Sequence, residues 1–481
     1  MEMTPIELWL PGPGELLEFV PTEAAREAAA EAPISTARPS SIQASHIQTA
    51  MDRRGRGFDW SPWLAFAFHI QAPLDRVALQ SAFSQFVTRH GTLLSWFEGD
   101  VENLTRRVIA PQDVELEITS RGQAASTDQA RQRITDRFSG NTSPLTWPSF
   151  IAGAIDHDSS PDHDSASPSA GFTVYYGVDH SHTDGVSILL GVEELHELYQ
   201  RTVAGNPEPL APVGSYVEFS AAERDLEETL TLDSPAVAVW LAALSDTGFA
   251  LPSFAMPLGL EPGETAPSTR VVLDLADAAT IDSFGLAVKS AGGSMAAGWF
   301  AALATVDAEL TGRDYYMALN AVATRFDPIY QAAQGWFINL VPVTANLTQA
   351  QTFEQRVAAL HSSLDRARAA APMPARAVVN AVMAAMGNGA QVSTTAVPPM
   401  VSYIDMRRFP GADLPGVDQI TALGGPGNTG DVSLWINRRS DRTYVMASFP
   451  NTPTAQESVS AYLAGLADVV ARTAQTASLA V

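Results

Sequence analysis

The segment YYGVDHSHTDGVSILL, residues 175–190, sets two histidines and two aspartates between two apolar runs. His180 and Asp184 form an HxxxD pair, closed by Gly185. An imidazole of ordinary basicity can take a proton from a hydroxyl near neutral pH, which is general-base chemistry. Each residue also has a plainer reading. Asp184 is well placed as the N-cap of a helix starting at Gly185 or Val186. His182 fits a solvated turn, and His180 fits a hydrogen-bonded core imidazole.

Other chemistries find little support. The chain has no cysteine, which removes disulfides, thiol nucleophiles and cysteine-ligated metals. It has no P-loop, no GxSxG elbow and no HExxH. His157 and His163 stand among acids in DHDSSPDHDSASPSA (156–170), but their spacing is no fixed ligand pattern, so the segment reads as a surface loop and no metal is expected. GPGNTG (425–430) matches GxGxxG, yet a strand-like DVSLWIN follows where a dinucleotide site needs a helix.

The formal net charge of −24 disfavours nucleic acid and anionic lipid as partners. Hydrophobic residues make up 46% and charged residues 17%, as in a globular chain. Lysine occurs once, at Lys289, and the arginine-rich usage is that of a GC-rich genome such as an actinobacterium's. The first residues, MEMTPIELW, carry no signal-peptide pattern, and no apolar run reaches the ~18 residues of a spanning helix. A cytoplasmic protein is expected.

These residues need elements to hold them. GFTVYYGV (171–178) reads as the strand before the motif, and VSILLGVEELHELYQ (186–200) as the helix after it. Side chains at such junctions line ligand crevices in α/β folds. WLAFAFHI (63–70) is a buried strand, and 74–90 and 126–139 are amphipathic helices. Residues 43–54 suggest a short helix, and 1–40 read as a peripheral arm. GNPEPLAPVG (205–214) marks a boundary, giving domains 1–210 and 211–481. The second half repeats the alternation: helices at SPAVAVWLAALSD, at 280–311 (split at GGS) and at TFEQRVAALHSSLDRARAA, strands at 315–325, 337–347 and MVSYIDMRR, a hairpin through DVSLWINRRSDRTYVMASF, and a closing helix. The fold class is α/β, an α+β sandwich of two similar layered domains.

Three further segments extend the pattern. Arg325 ends a strand, and Gly335, Phe337, Asn339 and Pro342 follow as G-x-F-x-N-x-x-P. Asp431-Val432-Ser433-Leu434-Trp435 lies far downstream, and RHGTLLSWF (89–97) upstream. In this order the set resembles the condensation-domain superfamily of CoA- or carrier-protein-dependent acyltransferases. That family's HHxxxDG reads here as residues 179–185, with Asp179 in place of the first histidine, and its DFGWG-type segment is eroded to DVSLW. WLPGPGELLEFVPT, VSLWINR and FPNTPTAQESVSAYLAGL are similar to actinobacterial polyketide-associated (Pap-type) acyltransferases, which esterify cell-envelope glycolipids such as trehalose esters.

The resemblance implies two chloramphenicol-acetyltransferase-like domains in a V with a central channel. It implies transfer of a long-chain fatty or polyketide acyl group from acyl-CoA, or from an acyl carrier protein or polyketide synthase, to a glycolipid hydroxyl. No cofactor is required. His180 is the general base, with His182 its rival. Asp184 orients the loop by pairing with Arg325, and Asp179 and Gly185 support the site. Trp336, Trp435, Asn339 and His182 line the channel or pack the core. The protein is expected to act as a monomer, in weak contact with the inner face of the plasma membrane. Asp179 and the eroded DVSLW keep open a silent binding or docking protein on the same fold. A peptide-forming condensation enzyme is the third reading.

Overall fold

The computed structural model describes residues 2–55, 62–100, 103–159, 170–206, 208–387, 399–409, 414 and 416–478. His163 and most of the 156–170 segment lie outside these residues. The chain forms two compact units. The first comprises Met1–Asp225, Arg325–Phe337 and Phe409–Gly425; the second comprises Leu226–Thr324, Ile338–Arg408 and Pro426–Val481. A single cut near residue 210 therefore differs from what is seen. The chain crosses between units several times, and Arg325, expected in the second domain, lies in the first unit with the motif.

The first unit is built on a seven-stranded, largely antiparallel sheet. Strand Phe172–Asp179 is paired with Trp63–Ile70 on one side and Phe150–Asp156 on the other. All eight of its residues are buried. A strand covered on both faces reads as a continuous apolar run, which is why FTVYYGV shows no polar alternation. Neighbouring side chains point to opposite faces. Tyr175 meets Phe138 of helix Thr127–Asn141, and Tyr176 meets Phe86 of helix Arg76–Arg89. Gly177 lets the first helix approach, since a Cβ there would fall 2.5 Å from the Phe138 ring.

The expected peripheral arm is partly core. Strand Gly14–Pro21 enters the same sheet between Phe150–Asp156 and Leu116–Ala124, and Leu16, Leu17 and Phe19 are buried. The Ala/Glu-rich run after it is helix Glu23–Ala30, N-capped by Thr22. Its alanines favour helix, and the capping hydroxyl sets its start.

The second unit repeats the theme with its own seven-stranded mixed sheet. DVSLWINRRSDRTYVMASF contains the expected hairpin, Ser433–Arg438 against Arg442–Pro450. The two helices split at GGS are Ala278–Ser290 and Met295–Thr311, and helix Pro453–Ser478 closes the chain. Among the described residues, no helix is long and apolar enough to cross a membrane.

Candidate active site

Strand Phe172–Asp179 ends in a one-turn 3-10 segment, His180–His182, and helix Gly185–Val203 begins two residues later. Aspartates set both changes of direction. Asp179 caps the turn through Ser181 N–H, and Asp184 caps the helix through Ser187 N–H at 2.6 Å. The residues that flank the histidines thus define the loop locally, as short acceptor side chains do at helix starts.

Asp184 has a second task. Its carboxylate accepts from Arg325 Nη2 at 3.2 Å and from Phe337 N–H at 2.8 Å, and it is fully buried. Arg325 also donates to Ser187 Oγ at 2.6 Å and to the carbonyls of Tyr330 and Ala333, and it stacks over the Phe337 ring at 4.2 Å. With Ser187 N–H, three donors and full burial commit this carboxylate to holding the loop. The cap reading and the ion-pair reading are both present in one residue, and the pair ties the motif loop to segment Arg325–Phe337. Gly335 sits in that segment because a Cβ there would lie 2.5 Å from the Tyr216 ring and 2.7 Å from the Phe337 ring.

His180 lies on the more open side of the turn. Its backbone N–H donates to Pro62 O, its ring packs on Trp336 at 4.3 Å with the planes tilted by 37°, and Nδ1 is buried with no hydrogen-bond partner. The residue as a whole keeps some exposure, and Nδ1 is not part of it. Burial lowers its basicity to about pKa 4, reinforced by the neighbouring His46 and opposed by Asp179 and Asp184. The imidazole is therefore neutral at physiological pH, the state a general base requires. Beside it, a Cβ on Gly185 would meet nothing within 4 Å. The first turn of the 19-residue helix after the motif thus has open space at Gly185.

His182 differs. It is buried, with Nδ1 2.7 Å from Ser181 Oγ and Nε2 2.9 Å from Ser95 O. Burial lowers its basicity to about 4 against the pull of Asp179 and the Ser95 carbonyl. Both nitrogens are engaged, which removes it as a free base and as a channel-lining group. The solvated-turn reading fails for the same reason.

The remaining expected residues fall elsewhere. Trp336 packs on His180. Asn339 belongs to the second unit, where Nδ2 donates to Ala371 O and Met373 O and Oδ1 accepts from Leu340 and Ala375 N–H. Its polar atoms bind the unit's own backbone. Trp435 is half-buried on strand Ser433–Arg438 of the second unit. Asp431 is half-buried there and accepts from Val432 N–H in its own loop and from Phe254 N–H of a distant segment. His157 is buried between Pro13 O and Thr173 Oγ1, a structural arrangement unlike the exposed loop expected. Among the described residues, no group of three or more acidic or histidine side chains is placed to hold a metal. GPGNTG follows strand Val417–Gly424 and contains the short strand Asn428–Thr429, and strand Ser433–Arg438, not a helix, comes next.

Sequence reasoning missed helix Ser41–Gly55 as part of the site. Gln43 Nε2 donates to Ser181 O at 2.7 Å, while its Oε1 accepts from buried Arg106 at 2.7 Å. His46 Nε2 lies 3.1 Å from Asp179 Oδ1. The signal available was a glutamine and a histidine three apart on one helical face.

Comparison with known proteins decides the family. The condensation-domain model matches residues 61–397. The chain belongs to the condensation-domain family. It is 29% identical, over 98% of its length and 97% of the relative's, to trehalose-2-sulfate acyltransferase PapA2 of Mycobacterium bovis. It is 28% identical, over 97% of its length and 96% of the relative's, to acyltransferase PapA3 of Mycobacterium tuberculosis. The solved structure of a PapA2 acyl transferase superposes with a TM-score of 0.87 at 26% identity, covering 98% of this chain and all of that one. The first condensation domain of the CDA synthetase shares the fold, with a TM-score of 0.66 at 18% identity over 91% of this chain and 96% of that one. The chain is thus an acyltransferase-type condensation-domain protein with the mixed helix–sheet fold expected.

Proposed function

We propose that the enzyme moves a long-chain fatty or polyketide acyl group from a CoA or carrier-protein thioester to a hydroxyl of a trehalose-type glycolipid, with His180 as general base. The observation that carries the reading is His180, a partly exposed residue, in the turn before helix Gly185–Val203, in a loop clamped by Asp184 and Arg325. The likeness to trehalose-2-sulfate acyltransferase supports the acceptor class.

His180 takes the hydroxyl proton as the oxygen attacks the thioester carbonyl, and a tetrahedral oxyanion forms. A backbone N–H near Gly185, at the start of helix Gly185–Val203, faces that charge, as helix N-termini favour anions. Collapse expels the thiolate, which recovers the proton from the His180 imidazolium. The ester and a free thiol leave, and no covalent enzyme intermediate is needed. The enzyme acts as a monomer in the cytoplasm. Exposed Leu8 and Leu10 are the side chains through which it would touch the inner face of the membrane.

The test is release of free thiol from palmitoyl-CoA with trehalose as acceptor, comparing wild type with His180→Ala. Acceptor-dependent release that His180→Ala abolishes is expected. Equal turnover by a folded His180→Ala would remove His180 as the base. Binding of donor without turnover across a panel of glycolipid acceptors would favour a docking protein.

A further inference from the structure

Helix Ser41–Gly55 grips the motif turn with two side chains one turn apart. Gln43 holds the Ser181 carbonyl, and His46 Nε2 lies 3.1 and 3.3 Å from the two oxygens of Asp179. A carboxylate only accepts, so this contact puts a proton on Nε2. The Asp179 carboxyl is fully buried. Burial raises its pKa, but His46 first, then His182 and Ser181, outweigh burial and hold it at about 2. The His46 ring meets Trp336 edge-on at 5.5 Å and 86°, and Trp336 packs on His180 at 4.3 Å, tilted by 37°. The His46 and His180 centroids are 6.3 Å apart. Position 179, where the resembled motif carries histidine, thus holds an aspartate that orients a histidine from another helix.

We propose that His46 is a positioning residue of this active site, oriented by Asp179 to seat Trp336 against His180 and to set the charge environment of the His180 ring. The proposal rests on the reading of His180 as base. The groups facing His180 are Asp179 and Asp184, which favour its imidazolium, and His46, which opposes it. His182 shares the turn, with both nitrogens tied to Ser181 and Ser95. A charge on the His46 ring stands 6.3 Å from the His180 ring and opposes a second positive charge there. His46 therefore helps to keep His180 in its free-base form.

Two variants separate the roles. His46→Gln keeps an N–H donor for Asp179 but cannot carry charge, and His46→Phe keeps a ring but no donor. In the full chain, the His180 titration midpoint is read by NMR, with resonances assigned through His180→Ala. kcat and KM for thiol release from palmitoyl-CoA with trehalose are followed against pH. In His46→Gln the midpoint and the acid limb of kcat/KM should both rise by roughly half to one pH unit. In His46→Phe kcat should fall at least ten-fold with KM little changed. An unmoved midpoint in folded His46→Gln overturns the proposal, as does unchanged kcat in His46→Phe. Should His46→Phe fail to fold, the His46→Gln midpoint decides. The NMR midpoint needs no turnover. A shifted midpoint beside a fully active His180→Ala would remove the base and leave the coupling standing. An unmoved midpoint beside an inactive His180→Ala would do the reverse.

Discussion

Arg325 Nη2 lies 3.2 Å from Asp184 Oδ1, both side chains buried, across 141 residues of chain. The same carboxylate caps the helix that follows the histidines. One ion pair therefore sets both the start of a helix and the seat of segment Arg325–Phe337, which carries Trp336.

Breaking that pair should cost stability before chemistry. Arg325→Ala leaves a buried carboxylate with two backbone donors and no counter-charge, and a loss of about 3–5 kcal/mol is expected. Arg325→Lys should recover little, because one ammonium cannot reach Asp184, Ser187 and the Tyr330 carbonyl together. Urea unfolding of the two variants checks this. Equal stability of Arg325→Lys and wild type would contradict it.

His180→Ala should behave in the opposite way. The Nδ1 atom has no partner to orphan, so unfolding free energy should change by about 1 kcal/mol or less. Activity should fall on the order of 10²–10⁴-fold, the usual worth of a general base. Paired melting curves and single-turnover rates give both numbers.

The pH dependence has a defined sign. Fully buried His182 titrates at about 4 in the folded state, against an ordinary 6.5. The unfolded chain takes up a proton between those values that the native state does not. This contribution is complete above pH 6.5 and is lost as pH falls toward 4, by about 3 kcal/mol. Asp179, held at about 2, contributes stability above pH 3.8 that is lost as pH drops through 2. Denaturation midpoints across pH 7 to 4 should fall steadily, and His182→Gln should flatten that slope. Activity should persist well below pH 6, since His180 stays neutral down to about 4.

Gly335→Ala tests the close packing behind the site. Its Cβ would press on two aromatic rings at 2.5 and 2.7 Å, so a loss of roughly 1–3 kcal/mol is expected. Gly185→Ala, with open space around it, should leave stability within about 0.5 kcal/mol. Thermal melts distinguish the two glycines, and reduced kcat/KM in a stable Gly185→Ala would place substrate in that space.

Local patterns in the chain were enough to determine the strand Phe172–Asp179, the helix after it, the hairpin near the C-terminus, and the HxxxD turn between them. Each depends on near neighbours, on apolar periodicity and on a capping aspartate, and these are written in consecutive residues. The strand Gly14–Pro21 was hidden because its sheet partners begin about 100 residues later. His180 and His182 look alike in sequence. Only tertiary packing separates them, by closing both nitrogens of His182 against Ser181 and Ser95 and leaving His180 partly exposed with Nδ1 unpartnered. The same holds for His46, which an unremarkable helix presents to Asp179. Hydrogen bonds between distant segments are set by where the sheet and helices bring them, and linear spacing carries no record of that meeting.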